Sequence, residues 1–260
     1  MKISLVLSGG GARGYIHIGI IEELKKSGID IISISGTSMG ALVGGLEAAG
    51  KLDKYKEWVL KFEILDFLDF LNISFNKPLL SLDKVFNKIR EFTGDINIED
   101  LNIKFTAVAT DLTRNKEIWF QKGDLLSAIK ASSSIPGVFE PVKINNRIFV
   151  DGGVLNLMPI APVMSDMSDK IIAINLNGRP SNIKRKKSLL DKVFSQRTDS
   201  VNLSINLMMD TIFRYRKAEY EADIELEVPR NIAYWYDFDR AEEMIEYGRK
   251  RAKEIISRLD

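Results

Sequence analysis

The sequence predicts an α/β fold that begins with a parallel pair of strands. A short apolar run at residues 3–7 precedes a glycine-rich turn, a helical pattern over residues 15–26 and a second apolar run at residues 29–34. A strand–helix–strand unit of this length implies two parallel strands joined by a right-handed crossover. Both strands then end at the same edge of the sheet, so the turns that follow them lie side by side.

The rest of the chain continues this alternation of strands and helices, and its 260 residues suffice for one large α/β domain. Apolar runs and turn signals predict strands at residues 103–109, 117–121, 147–150, 170–176 and 224–228. Helical periodicity predicts helices at residues 39–49, 51–71, 82–92, 124–132 and 238–259, and an amphipathic helix with apolar positions 201, 205, 208, 212 and 215.

The composition excludes several classes of protein and site. There are 37 lysine and arginine residues against 36 acidic ones, which argues against a dedicated nucleic-acid binder. The absence of cysteine excludes disulfides and a cysteine nucleophile. The one histidine, His17, is the only residue on which a Ser-His-Asp triad could be built. No apolar run approaches the length of a membrane span, and we expect a soluble, cytoplasmic protein.

The pattern GTSMG at residues 36–40 has the context of a nucleophile elbow. It follows an apolar strand and precedes a small-residue helix, which would place Ser38 at the apex of a sharp turn with its Oγ exposed. Gly36 and Gly40 allow close backbone approach. The alternative is a glycine-rich loop between strand and helix with a buried structural serine.

The glycine loop GGGARG at residues 9–14 has two functional interpretations. A dinucleotide loop would require an acidic residue at the end of the second strand, but Asp30 lies at its beginning, and the loop lacks the GK[ST] ending of a phosphate-binding loop. Glycines before a helix can instead direct N–H groups at an oxyanion. Because the loop would lie beside the elbow serine, we favour the interpretation that it binds an oxyanion.

Two residues could serve as the base for Ser38. His17 shares a helix face with apolar residues, which is typical of a histidine in the core. Asp151 follows an apolar strand and precedes two glycines, and partial burial would raise its pKa toward that of a useful base. Asp151 is the better candidate, although a DGG tripeptide is also an ordinary turn.

Three motifs in this order resemble those of the patatin-like phospholipases, particularly the bacterial members and the catalytic domain of neuropathy target esterase. They are LVLSGGGARGYIHIGIIEEL, ISGTSMGALVGGL and FVDGGVLNLMPI, with ATDLTRNKEIWF and AIKASSSIPGVFEPV in support. The resemblance covers most of residues 3–177. It implies one domain over residues 1–260, with a C-terminal helical part from about residue 178. It also implies a three-layer α/β/α fold with a central, mostly parallel sheet.

The resemblance implies a serine lipid acyl hydrolase with a Ser38–Asp151 dyad, and the single histidine agrees with a dyad. The implied oxyanion site comprises Gly9, Gly10, Gly11, Arg13 and Gly14, with Gly10, Gly11 and Arg13 as the main N–H donors. No cofactor or metal is required. The substrate would be a phospholipid, a lysophospholipid or a neutral lipid ester. The alternatives are a non-catalytic lipid-binding or scaffolding protein of the same fold, and a nucleotide-binding protein that uses the glycine loop.

The apolar stretch FEILDFLDFLNISF at residues 62–75 has a narrow polar stripe and a wide apolar arc. Large apolar side chains are most often core, so burial within the protein is one interpretation. The other is a lid over the Ser38 cleft that contacts acyl chains or transiently touches a membrane surface.

Overall fold

Eight strands form one mixed sheet in the part of the chain that the structure describes. The structure is a computed structural model, and it describes residues 1–61, 79–183, 185, 191 and 200–259. The strands are β1 (Lys2–Leu7), β2 (Asp30–Thr37), β3 (Lys104–Asp111), β4 (Lys116–Phe120), β5 (Val142–Ile144), β6 (Arg147–Asp151), β7 (Lys170–Gly178) and β8 (Ile224–Pro229). The helices are α1 (Tyr15–Lys26), α2 (Met39–Ala48), α3 (Leu52–Leu60), α4 (Asp83–Thr93), α5 (Leu125–Ser132), α6 (Ser200–Glu219) and α7 (Ala241–Ile256).

The sheet is parallel at its centre and antiparallel at one side. Its strand order is β5-β6-β3-β2-β1-β7-β8, and β4 also pairs with β3. The pairs among β3, β2, β1, β7 and β8 are parallel, whereas β3–β4, β3–β6 and β5–β6 are antiparallel. The predicted parallel pair β1–β2 is confirmed, with α1 as its crossover.

Alternating side chains of the strands pack against a layer on each face of the sheet. In β1, Ile3, Leu5 and Leu7 join the large core formed with α1, α2, α3, α4, α5 and α7. Val6 points to the other face, where it packs with Leu157 and with Phe213 of α6. This alternation follows from the two-residue period of a strand, and it confirms the predicted three-layer α/β/α arrangement.

Helices α1 and α7 cross at a point where only glycine fits. A Cβ on Gly19 of α1 would lie 2.0 Å from the carbonyl oxygen of Ile245. A Cβ on Gly248 of α7 would lie 2.2 Å from the carbonyl oxygen of Ile16. The C-terminal helix therefore packs backbone to backbone against the helix that follows the glycine loop.

The observed elements depart from the predicted ones in a few places. Strand β2 continues past Ile34 to Thr37, because it stays paired with β1 and β3 as far as the elbow. Strand β5 was not predicted; it pairs with β6 through a turn in which Asn145 and Asn146 both have positive φ. The stretch at residues 62–75 lies outside the described residues, so its role as core or lid stays a prediction. Within the described residues, no helix is long and apolar enough to span a bilayer.

The first prediction concerns Gly19→Ala. Alanine normally stabilises a helix relative to glycine by up to about 1 kcal/mol. Here its methyl group would overlap the α7 backbone, and overpacking of this kind costs about 1–3 kcal/mol. We expect urea unfolding to show a lower free energy of unfolding for Gly19→Ala. Lys250→Ala, on the exposed side of α7, serves as a control with little change. A Gly19→Ala protein as stable as the wild type would contradict the close crossing.

Candidate active site

Ser38 lies at the tight junction between β2 and α2, with φ 56° and ψ −125°. A non-glycine residue rarely adopts a positive φ, so this backbone is strained and must be held by its surroundings. A Cβ on Gly36 would lie 2.5 Å from the Gly40 carbonyl oxygen, and one on Gly40 would lie 2.1 Å from the Leu7 oxygen. The glycines therefore allow the first turn of α2 to approach the ends of β1 and β2, as a nucleophile elbow requires.

Asp151 ends β6 and is buried, with 2% of its surface exposed. On β3, Val108 is the register partner of Thr37, and the next residue, Ala109, is the register partner of Asp151. The antiparallel strand β6 therefore ends where the parallel strand β2 ends. A Cβ on Gly152 would lie 2.2 Å from the Val108 oxygen, so the glycine after Asp151 is needed for this approach. The structure thus brings Asp151 to Ser38.

Burial determines the acid–base character of Asp151. Its pKa is raised to about 6 because desolvation of the carboxyl group outweighs hydrogen bonds from the Ser38 side chain and the Gly153 backbone. The Gly153 N–H donates to Oδ1 at 2.7 Å. Oδ2 is buried and has no hydrogen bond of ordinary geometry among the described residues. The Ser38 side chain therefore lies close enough to the carboxyl group to lower its pKa, and within the described part of the chain Oδ2 has no competing hydrogen bond.

A run of three serines that begins with the last residue of α5 contacts both residues of the pair. The Ser38 N–H donates to Ser132 Oγ at 2.9 Å, and Ser132 Oγ donates to the Val108 carbonyl at 2.6 Å. The Asp151 N–H donates to the Ser134 carbonyl at 2.9 Å. The sequence places these serines in a supporting motif, but their contacts could not be predicted because they join residues up to 94 positions apart.

The glycine loop lies beside Ser38 and has two N–H groups without a partner among the described residues. The N–H of Gly9 is taken by the Leu157 carbonyl at 2.9 Å. Residues Gly11–Gly14 form a 3₁₀ turn, in which the last two N–H groups bond to carbonyls three residues earlier. The N–H groups of Gly10 and Gly11 have no hydrogen-bond partner among the described residues. A Cβ on Gly9 would lie 3.2 Å from the Ser38 Cβ, so the loop and the elbow are in contact.

The Arg13 side chain binds backbone rather than entering the site. Its Nε donates to the Leu176 carbonyl at 3.1 Å, and Nη1 donates to the Ala233 carbonyl at 2.8 Å. Nη2 donates to Asn177 Oδ1 at 3.1 Å. Burial lowers the pKa of Arg13 to about 10, and the group remains charged at neutral pH. Arg13 therefore ties the glycine loop to the end of β7 and to the C-terminal segment.

His17 is a buried, neutral histidine in contact with the strand end rather than with Ser38. Its Nε2 lies 2.9 Å from the Ser8 carbonyl oxygen, to which the neutral ring donates. Burial lowers the pKa of His17 to about 4, so the imidazole stays uncharged at neutral pH. This environment is that of a core histidine, the interpretation favoured from the sequence.

Ser38 opens onto an apolar cleft of about 760 Å³, part of which is open to solvent. Its walls are mostly aromatic and aliphatic and come largely from α1, α3, α4 and the C-terminal segment. They include Tyr15, Trp58, Phe139, Trp235 and Phe238. The last two lie in the C-terminal region, where we found no motif. Trp235 also accepts the Ala12 N–H at 2.8 Å, so the C-terminal segment fixes the glycine loop while it lines the cleft.

Comparison with known proteins identifies the family of the chain. A family model described as patatin-like phospholipase matches residues 5–164, which include the glycine loop, Ser38 and Asp151. An uncharacterized NTE family protein of Mycobacterium bovis is 32% identical over 332 residues, covering 100% of this chain and 92% of that protein. Neuropathy target esterase sws of Drosophila persimilis is 34% identical over 166 residues, covering 61% of this chain and 12% of that protein.

Among solved structures, the crystal structure of VipD from Legionella pneumophila matches with a TM-score of 0.48 and 14% identity, covering 95% of this chain and 67% of that one. The family assignment rests on the family model that matches residues 5–164 and on the mycobacterial relative, which aligns over the whole of this chain. On these grounds the chain belongs to the patatin-like phospholipase family, a family of lipid ester hydrolases.

Proposed function

We propose that this protein is a serine lipid acyl hydrolase that uses a Ser38–Asp151 dyad. The observation that carries the proposal is a strained serine that lines an apolar cleft and interacts with the buried carboxyl group of Asp151. A pKa near 6 leaves the carboxyl group mostly ionised at neutral pH, yet basic enough to accept a proton in a transition state. The apolar walls favour an acyl chain as the occupant and disfavour a nucleotide.

The proposed reaction has two steps. Asp151 accepts the Ser38 hydroxyl proton as Oγ attacks the ester carbonyl, and the protonated carboxyl group then gives that proton to the departing alcohol. Water next attacks the acyl-enzyme, with Asp151 again accepting the proton. The bond between the acyl carbon and Oγ then breaks, Asp151 returns the proton to Ser38 Oγ, and the carboxylic acid leaves. We assign the tetrahedral oxyanion to the N–H groups of Gly10 and Gly11, aided by the N-terminal dipole of α2.

The substrate class follows from the cleft and the family: a phospholipid, a lysophospholipid or a neutral lipid ester. We further propose action in the cytoplasm, with transient contact at a membrane surface where such substrates reside. The rival proposals are a non-catalytic lipid-binding protein and a nucleotide-binding protein. Covalent labelling by an organophosphate would favour the hydrolase over a non-catalytic lipid-binding protein. Thermal stabilisation by NAD or ATP, without such labelling, would favour the nucleotide-binding protein.

The second prediction is that Ser38→Ala abolishes ester hydrolysis. Removing the only proposed nucleophile should lower kcat on a lipid and ester panel by about 10⁴-fold or more, as in other serine hydrolases. The melting temperature should stay close to that of the wild type, because only one hydroxyl group is lost. Ser27→Ala, an exposed serine after α1, is the matched control with full activity. Substantial turnover by a folded Ser38→Ala protein would remove Ser38 from its role.

The third prediction concerns Asp151→Asn, which separates activity from stability. Loss of the general base should lower kcat by about 10²- to 10⁴-fold. Stability should change in the opposite direction, because ionisation of a buried carboxyl group is unfavourable. The pKa rises from 3.8 to about 6 in the folded protein, so the ionised group destabilises it by up to about 3 kcal/mol above pH 6.

Thermal unfolding at several pH values measures this second effect. Asp151→Asn should be more stable than the wild type at pH 8, and the difference should vanish as the pH falls toward 4. A variant that loses both activity and stability at pH 8 would instead show that the carboxylate is a structural partner.

The fourth prediction is a pH–rate profile with one ascending limb. Because the ionised carboxylate is the active form, kcat/KM for a neutral ester should rise with pH and level off, with a midpoint near 6. His17→Gln should keep most of the activity and the same midpoint, since an amide can still donate to the Ser8 carbonyl. A folded but inactive His17→Gln protein would overturn the dyad.

A further inference from the structure

The serine turn, defined here as Ser132–Ser134, joins the two residues of the dyad through their backbones. One of its hydroxyl groups accepts the N–H of Ser38, and one of its carbonyls accepts the N–H of Asp151, each at 2.9 Å. The two active groups come from strands β2 and β6, which are distant in sequence. A single short segment thus holds both.

The hydrogen bond from the Ser38 N–H to Ser132 Oγ is made at a residue with a strained backbone. Ser38 has a φ of 56°, and strained conformations of this kind persist only when the surrounding structure determines them. Ser132 is fully buried, and its hydroxyl group both accepts from Ser38 and donates to the Val108 carbonyl. In the absence of that hydroxyl group, a buried N–H and a buried carbonyl each lose a partner.

The hydrogen bond from the Ser132 hydroxyl group to the Val108 carbonyl links Ser38 to strand β3. Val108 is the β3 residue opposite Thr37, and its neighbour Ala109 is opposite Asp151. Ser132 therefore connects the Ser38 turn to β3, the strand whose pairing with β6 also positions Asp151. It also occupies the Ser38 N–H, so that group is not free to bind an oxyanion.

We propose that Ser132 is a positioning residue for the nucleophile: its hydroxyl group holds the strained Ser38 backbone so that Oγ faces Asp151. This inference rests on the proposed function. Without the hydroxyl group, the elbow can relax and displace Oγ, which slows attack on any ester. Substrate binding in the apolar cleft does not depend on Ser132, so KM should change little.

Phosphonylation by a p-nitrophenyl alkylphosphonate tests this role. In that reaction Ser38 Oγ bonds to phosphorus and p-nitrophenolate leaves. The final amount of p-nitrophenolate counts the intact sites, and the rate per site reports the reactivity of Ser38. For Ser132→Ala we expect the full count and a rate per site lower by about 10- to 100-fold, the effect of a displacement of roughly 1 Å.

The control is Ser4→Ala, which deletes a fully buried hydroxyl group in the N-terminal half of β1, where Ser4 Oγ donates to Ser168 Oγ at 2.9 Å. It should keep the wild-type rate per site. If Ser132→Ala gives fewer sites at an unchanged rate per site, Ser132 is merely structural and the inference is wrong.

If Ser132→Ala does not fold, Ser132→Cys, with a weaker donor and acceptor of similar size, takes its place. A reduced rate per site in that variant supports the inference, and an unchanged rate overturns it. A wild-type protein that releases no p-nitrophenolate would instead contradict the proposed function, and the inference with it.

Discussion

The close approach of α2 to the ends of β1 and β2 is the constraint on which the site depends. It is possible only because Gly36 and Gly40 have no Cβ, and it forces the intervening Ser38 to turn with a positive φ. The turn directs the serine side chain away from the sheet and toward the cleft. It also brings the helix N-terminus and the glycine loop to the same point, where negative charge would develop during acyl transfer.

Strand β3 organises the other half of the site. It pairs in parallel with β2 and antiparallel with β6, so strands that run in opposite directions end beside each other. Asp151 is buried by this arrangement, and desolvation is the largest influence on its pKa. A carboxylate alone is a weak base, and in the proposed dyad burial would make Asp151 a stronger one without a histidine. The same burial makes ionisation of Asp151 unfavourable for the stability of the folded protein.

Local patterns in the sequence predicted most of the fold and the identity of the candidate groups. A strand, a glycine-containing turn and a helix follow one another within a few residues around Ser38. Such a local pattern can be recognised in the sequence alone. The hairpin of β5 and β6 was missed, although Asn145 and Asn146 are typical of a two-residue turn. The contacts of Ser132 and the position of Trp235 could not be predicted from the sequence, because they depend on the packing of segments that are far apart in the chain. The resemblance implied Gly10, Gly11 and Arg13 as N–H donors, but the 3₁₀ turn that occupies the N–H group of Arg13 could not be predicted from the sequence.

The most direct test of the central claim is a crystal structure of the protein after reaction with an alkylphosphonate. We expect phosphorus bonded to Ser38 Oγ, with the phosphoryl oxygen about 2.7–3.1 Å from the N–H groups of Gly10 and Gly11. The alkyl chain should lie in the apolar cleft, and the Asp151 carboxyl group should face the Ser38 oxygen. An adduct on another residue, or a phosphoryl oxygen directed away from the glycine loop, would contradict the account.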